Sequence, residues 1–379
     1  MPTPFDPEHL RVAIIHEWLV TYAGSEKVTA ELLALFPRAE VFTTVDFLPA
    51  DQRAFLRGRP VHTTFIQRLP FAKRKYRGYL PLMPLAIEQF DLSGFDLVLS
   101  SSHAVAKGVL TGPDQPHICY CHTPARYAWD LQARYLAEAG LGWGLRGLLA
   151  RWLLHRFRQW DTRAALGVDH FIANSRYIGR RIAKSYRRES TVIHPPVDVE
   201  RFTPDDQPRE DVFLAASRVV PYKRLDLLVE AFKLMPDRRL QVIGDGPGLA
   251  KLHQLAGPNV EILGWQPDAV LRERMRRCRA FLFAAEEDFG IIPVEALACG
   301  TPVIAYGRGG SCETLVEGVT GTFFPEQTVA SVRDAVERFC AQPAADPAAC
   351  RHQAEKFSIP RFRTEILAHL RHVWETYPR

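Results

Sequence analysis

Apolar positions in the first half of the chain come as short runs separated by helix-spaced segments. "LRVAIIHEWL" (10–19) has the pattern of a buried strand. "GSEKVTAELLALF" follows, with Val28, Leu32, Leu35 and Phe36 at helical spacing. "FDLVLSSS" (95–102), "HICYCHT" (117–123) and "DHFIANS" (169–175) are further apolar runs ending in small or polar residues. Strand patterns alternating with helical ones predict a parallel sheet covered on both faces.

"VIHPPVDVERFTPDD" (192–206) interrupts the alternation. Its three prolines cannot continue a helix, and it reads as a linker. The pattern then restarts. Strands are expected at 212–218, 240–246, 260–264, 280–285 and 302–306, and helices at 224–235, 247–256, 268–277 and 293–299. This gives an α/β chain of two doubly wound units, residues 1–195 and 196–359. The last helical stretch, within 360–379, is expected to cross back onto the first unit. In such an arrangement a ligand sits at the carboxyl ends of the strands, in a cleft that the two units face.

At 379 residues the length suits two domains, and 47% hydrophobic with 24% charged residues is ordinary globular composition. No apolar run approaches the roughly 18 residues of a membrane span. The first residues lack a basic stretch ahead of the apolar one, so no secretory leader is expected. Seven cysteines with one close pair, Cys119 and Cys121, read as reduced buried thiols. The net charge of +5 is uneven: residues 1–195 hold 25 Lys+Arg against 17 Asp+Glu, the remainder 23 against 26.

Two segments carry much of that basic excess. Between Asp51 and Glu88 there is no acid, and Arg68, Lys73, Arg74, Lys75 and Arg77 are interleaved with Phe65, Phe71, Tyr76 and Tyr79. Over 139–160, Leu145, Leu149, Trp152, Leu153, Phe157 and Trp160 share one helical face, with Arg151, His155 and Arg158 opposite. Both suit an anionic membrane surface and equally a helix docked on its own core. No nucleic-acid-binding motif is present, and nucleic acid is not an expected partner.

Candidate chemistry concentrates in "EEDFGIIPVEALACGTPVIAYGRGGSCET" (286–314). Glu286, Glu287 and Asp288 fall at the carboxyl end of an expected strand. Pro293 suits the first residue of a helix and Gly300 its end, which puts Glu295 in the first helical turn. Glu287 and Glu295 can both accept hydrogen bonds from vicinal hydroxyls. Glu286 and Asp288 read as ordinary surface acids. Gly309 and Gly310 would let backbone amides approach an anion. Arg218 ends one strand and Lys223 opens the next helix, so a diphosphate would meet two cations. "IGDGPG" (243–248) is not the dinucleotide fingerprint, because Leu249 stands at the third glycine position.

Taken together, Glu287-x7-Glu295, "FGIIPVEALACGTPV", "GGSCE", "SRVVPYK" and "GDGP" resemble the family 4 retaining glycosyltransferases of the GT-B fold. "CYCHTPARYAWD" resembles that family's central histidine loop, with His122 at the matching position. Gly24 resembles half of its Gly-Gly turn, the other half being Ala23 here. The fuller pattern "SSSHAVAKGV…HICYCHTPARYAWD" is similar to bacterial mannosyltransferases of O-antigen and exopolysaccharide assembly.

The resemblance implies a GT-B fold and a nucleotide-sugar donor, GDP-mannose first and UDP- or dTDP-sugars next. It implies Glu287 on the donor sugar, Glu295 on the ribose, Arg218 and Lys223 on the diphosphate, and His122 near the reacting carbon. Donor contacts are expected from Gly24, Gly244, Gly264, Trp265, Asp268, Phe289, Gly290, Ile291, Gly309 and Gly310. The acceptor implied is a saccharide on polyprenyl diphosphate at the inner face of the plasma membrane, with Arg68, Lys73, Arg74, Lys75, Arg77 and Trp152 towards the lipid. With no D-x-D in the chain, neither a metal nor another cofactor is expected. A non-catalytic nucleotide-sugar-binding protein and a nucleotide-sugar epimerase are the competing readings.

Overall fold

The computed structural model describes residues 4–342 and 345–378. Two compact units emerge. One runs through His194 and takes in the chain from Arg363 on; the other is Pro195–Phe362. The helix Ile359–Thr376 therefore supplies its residues from Arg363 on to the first unit. There Arg363 pairs with Glu31 at 2.6 Å, Trp374 lies against Phe5, and the Tyr377 hydroxyl donates to the Pro113 carbonyl.

The first unit holds seven parallel strands: β1 (Val12–His16), β2 (Glu40–Thr43), β3 (Val61–Thr63), β4 (Leu97–Ser102), β5 (His117–Cys121), β6 (His170–Ala173) and β7 (Thr191–Val192), in the order 3-2-1-4-5-6-7. The second holds six: β8 (Val212–Ala216), β9 (Arg239–Ile243), β10 (Val260–Gly264), β11 (Ala280–Phe283), β12 (Val303–Tyr306) and β13 (Gly321–Phe324), in the order 10-9-8-11-12-13. Each sheet reverses its winding once, between β1 and β4 in the first and between β8 and β11 in the second. Ligand sites of doubly wound sheets form at such points.

Both faces of the second sheet are apolar, which explains its continuous hydrophobic runs. Val212, Leu214 and Ala216 enter one core cluster and Phe213 and Ala215 another, as strand alternation requires. In the first unit Ala13, Ile15 and Val98 share a cluster with Tyr76, Met83 and Phe157, so both basic segments are rooted in one core.

Several expectations change here. β2, β3, β7 and β13 are too short or too polar to stand out in the sequence, and β7 enters the expected linker at Val192. The helix expected from Pro293 spans Ile291–Ala298, so Pro293 is its third residue and Glu295 its fifth, beyond the first turn. Proline is tolerated there because the first amides of a helix have no internal partner. Lys223 does not open a helix. It ends a 3-10 turn, Pro221–Lys223, and the helix Leu225–Lys233 begins after Arg224 turns left-handed.

The helix Leu145–Leu166 packs its apolar side chains on the core from Leu154 onwards. Phe157 is buried and Leu154 and Trp160 pack on the core, while Leu145, Leu149 and Trp152 stand exposed. Arg158, expected in solvent, donates to the Ala128 carbonyl at 2.7 Å, and Arg151 holds the Gly142 carbonyl at 2.8 Å. Tyr76 is buried and Tyr79 bonds the Pro70 carbonyl, leaving Phe65 and Phe71 as the outward aromatics of the other segment. No helix among the described residues is long and apolar enough to cross a membrane.

Candidate active site

In the second unit β8 and β11 are neighbours, so the loops that follow them lie together. The Lys223 ammonium donates to the Glu287 carboxylate, and both side chains are largely buried. Arg218 is exposed, on the same β8 loop. The backbone of that loop is fixed from below: Ser217 N donates to Ile243 O, and Val219 N donates to Asp245 O at 2.8 Å. A Cβ on Gly244 would lie 1.9 Å from the Ser217 carbonyl oxygen, and one on Gly246 would lie 2.5 Å from that of Val219. The glycines of "GDGPG" thus let two chain segments close on each other, and they aim the loop that carries Arg218.

Gly309 and Gly310 serve the same purpose for Glu287. Gly309 adopts φ +76° and pairs with Glu287 in a parallel bridge; a Cβ on Gly310 would lie 2.3 Å from the Phe289 backbone. The Gly310 amide donates to the Glu287 carbonyl at 2.8 Å. The expectation that this amide would meet an anion is therefore corrected, since it is spent on chain packing. The helix that follows, Ser311–Thr314, has only four residues.

The other expected donor contacts divide. Glu295 is 5% exposed. Gly290 caps its helix at φ +87°, with Ile291 partly buried behind it. The Phe289 side chain points into the core against Phe357, which leaves only its backbone for a ligand. Gly264 closes β10 at φ +66°, and Trp265 beside it is 70% exposed. Asp268, partly exposed, is engaged by Arg201 at 2.7 Å and Arg272 at 3.1 Å.

In the first unit the carboxyl ends of β1, β4 and β5 gather three histidines. His122 N donates to Ser102 O, its Nε2 lies 2.8 Å from Ser101 Oγ, and its carbonyl accepts from Asn174. Burial first, then the charges of His103 and His16, pushes His122 down to about 3. His103 stands edge-on to Trp18 and 6.5 Å from His122. His16 bonds Glu26 through Nε2 and Thr29 through Nδ1, each at 3.1 Å. Glu26 closes the start of the helix Gly24–Leu35 by accepting from Ala23 N. Burial raises the Glu26 carboxyl, but the His16 hydrogen bond and charge outweigh it and bring the group to about 2.

Sequence reasoning missed this supporting shell. Glu17 is wholly buried and accepts from Ser102 Oγ and four backbone amides, His103 to Ala106. Lys107 and Asp161 form a buried ion pair, and Asp161 also accepts from Trp129 and Tyr186. The Trp129 bond anchors the loop that begins at His122. The signals were present: an acid that follows the apolar run of "AIIHE" with only a histidine between, and a lysine inside the apolar stretch "AVAKGVL".

Two family models match the chain side by side: Glycosyltransferase Family 4 over residues 22–201 and Glycosyl transferases group 1 over residues 197–357. Between them they take in most of the sequence, and the chain belongs to the family 4 glycosyltransferases of the GT-B fold. Among relatives, it is 30% identical over 226 residues to a D-inositol 3-phosphate glycosyltransferase of Mycobacterium sp. (strain JLS), covering 53% of this chain and 52% of that one. It is 31% identical over 213 residues to the GDP-mannose-dependent alpha-(1-6)-phosphatidylinositol monomannoside mannosyltransferase of Mycolicibacterium smegmatis, covering 48% and 56%. The chain spans about half the length of the curated relatives it matches. Among solved structures, Anabaena Alr3699/HepE in complex with UDP and glucose superposes with a TM-score of 0.72 at 18% identity, covering 96% of this chain and 99% of that one. That likeness concerns the fold.

Proposed function

We propose that the protein is a retaining hexosyltransferase. It moves mannose from GDP-mannose to a saccharide carried on a lipid, of the polyprenyl diphosphate type, in bacterial surface-polysaccharide assembly. The observation that carries the reading is the Lys223–Glu287 pair beside Arg218 at the winding reversal of the second sheet, on loops fixed by close-approach glycines. An arriving diphosphate competes with Glu287 for Lys223. It draws the ammonium to itself and frees the carboxylate for the sugar's hydroxyls. The C1–O bond to the β-phosphate breaks, and the acceptor oxygen bonds C1 on the same face. The acceptor's proton passes to the departing phosphate oxygen. Stabilising charge on that leaving group is the hard part, and Arg218 and Lys223 are its natural partners. The reading calls for no metal.

The mannosyl donor is supported by the name of the relative from M. smegmatis, which also acts on a lipid-borne mannoside. The exposed basic-aromatic segment around Lys73 to Arg77 supports an anionic surface as the acceptor's setting. The inositol-phosphate relatives favour a second reading, a soluble phosphorylated acceptor.

Thermal shifts with GDP, UDP, dTDP and their sugars select the donor. Radiolabelled donor is then offered with lipid-linked saccharide, with inositol phosphate and with no acceptor. Label in the lipid phase supports the proposal, and label in inositol phosphate supports the second reading. Conversion of the donor alone would mark an epimerase. Binding without any transfer would mark a non-catalytic nucleotide-sugar-binding protein.

A further inference from the structure

We propose that Glu17 is an internal anion: it fills an amide nest at the winding reversal of the first sheet and thereby positions the histidine centre. Its Oε1 accepts from Ser102 Oγ (2.9 Å), His103 N (2.8 Å), Ala104 N (2.6 Å) and Ala106 N (3.1 Å), and its Oε2 from Val105 N (2.8 Å). Successive amides converging on one point form the concavity that other proteins offer to phosphate. Here a side chain from β1's end occupies it. A carboxylate has about four lone-pair sites, so five donors saturate it. Burial raises the Glu17 carboxyl, but the His103 charge and the amide bonds outweigh that and hold it below its ordinary value.

The nest is coupled to His122 by short links. Ser102, which bonds Glu17 through its hydroxyl, accepts from His122 N through its carbonyl at 2.8 Å. Ser101, one residue earlier, meets His122 Nε2. His103, whose amide enters the nest, packs its ring on Trp18, the residue after Glu17. From the other side Lys107 Nζ holds the Ala104 carbonyl at 3.0 Å. Glu17 touches no reacting group in this arrangement. It is a positioning residue, and its role rests on the transfer reading above.

The consequence is specific: removing the carboxylate leaves a hole shaped for a small carboxylate. In Glu17→Ala, amides 103–106 are expected to lose hydrogen-exchange protection. The kcat of transfer should fall about 10²-fold, with donor KM within about twofold, because the charged donor groups Arg218, Lys223, Glu287 and Glu295 belong to the other unit. Formate at concentrations on the order of tens of millimolar should restore both protection and kcat, and leave wild type unchanged. If Glu17→Ala does not fold, Glu17→Gln replaces it; that variant should lose kcat without formate rescue, since its side chain still fills the hole. Unchanged exchange at 103–106 in Glu17→Ala would overturn the nest. Exchange that opens and closes with formate while kcat stays at the wild-type level would overturn the positioning role, as would a fully active Glu17→Gln. If wild type transfers no sugar from any donor, the functional reading fails, while exchange and its formate rescue still decide the nest.

Discussion

The polar centre of the first unit is closed on itself, and that of the second is open. Around His122 the polar side chains already have protein partners: Glu17 in its nest, Glu26 on His16, Ser101 on His122, Lys107 on Asp161. Around Glu287 the two cations are less deeply enclosed. Lys223 has Glu287, Arg218 reaches solvent, and Trp265 stands exposed. Buried polar groups must be satisfied internally, so the first centre is preorganised and can position but not trade partners. A centre that takes up and releases a charged donor has to keep charges exchangeable. Under the proposed function, the second unit would meet the ligand's charge and the first would supply geometry.

The sharpest way to break the comparison is to unbalance the closed centre. Lys107→Met strands Asp161 in the core and should cost about 3–5 kcal/mol in denaturant unfolding; adding Asp161→Asn should recover part of it. A loss below ~1 kcal/mol would mean that this centre is not closed. Glu26→Gln should cost about 3 kcal/mol near neutral pH. The folded carboxyl titrates at about 2 instead of 4.5, so its stabilisation is complete above pH 4.5 and fades as pH falls towards 2. Wild type and variant should therefore converge in acid unfolding over that window, and parallel curves would contradict the assignment.

The open centre should respond in rate more than in stability. Arg218→Ala and Lys223→Ala should each lower kcat about 10²-fold; the stability change should be small for the exposed Arg218 and, for Lys223, below that of the wholly buried Lys107. Lys223→Ala with Glu287→Gln should be non-additive, since the two side chains are in contact. Near-wild-type turnover in both single variants would remove the diphosphate role. At the basic segment, single changes of Lys73, Arg74 or Lys75 to Gln should weaken binding to anionic vesicles by ~1 kcal/mol, about fivefold, at low salt. Unaltered partitioning would leave these charges as solvation only. The smallest expected effect is none: with His122 near 3, the pH–rate profile should show no break from this group between pH 5 and 8. A histidine-like break abolished by His122→Asn would reverse that.

Much of this was legible in the sequence because it is local. Buried parallel strands need continuous apolar runs, so β1, β4, β5, β8, β11 and β12 announce themselves in the residue pattern. The motifs that signal the family lie at strand ends and loops, where spacing places Arg218 and Glu287 and the family resemblance singles out His122; Lys223 falls on the expected loop but in a 3-10 turn instead of a helix start. What the sequence could not reveal is which polar groups meet. Glu17 and the amides of 103–106 are more than eighty residues apart, and Lys107 and Asp161 more than fifty. The purpose of Gly309 and Gly310 also depends on a distant segment. They read as anion-binding glycines until the chain brings Glu287 and Phe289 against them, at distances that exclude a Cβ. Periodicity and spacing are properties of neighbours along the chain, and they determined the long buried strands, the two units and the loops that carry the charges. Satisfaction of buried donors and acceptors is a property of neighbours in space, so only the tertiary structure decided which centre is closed and which is open.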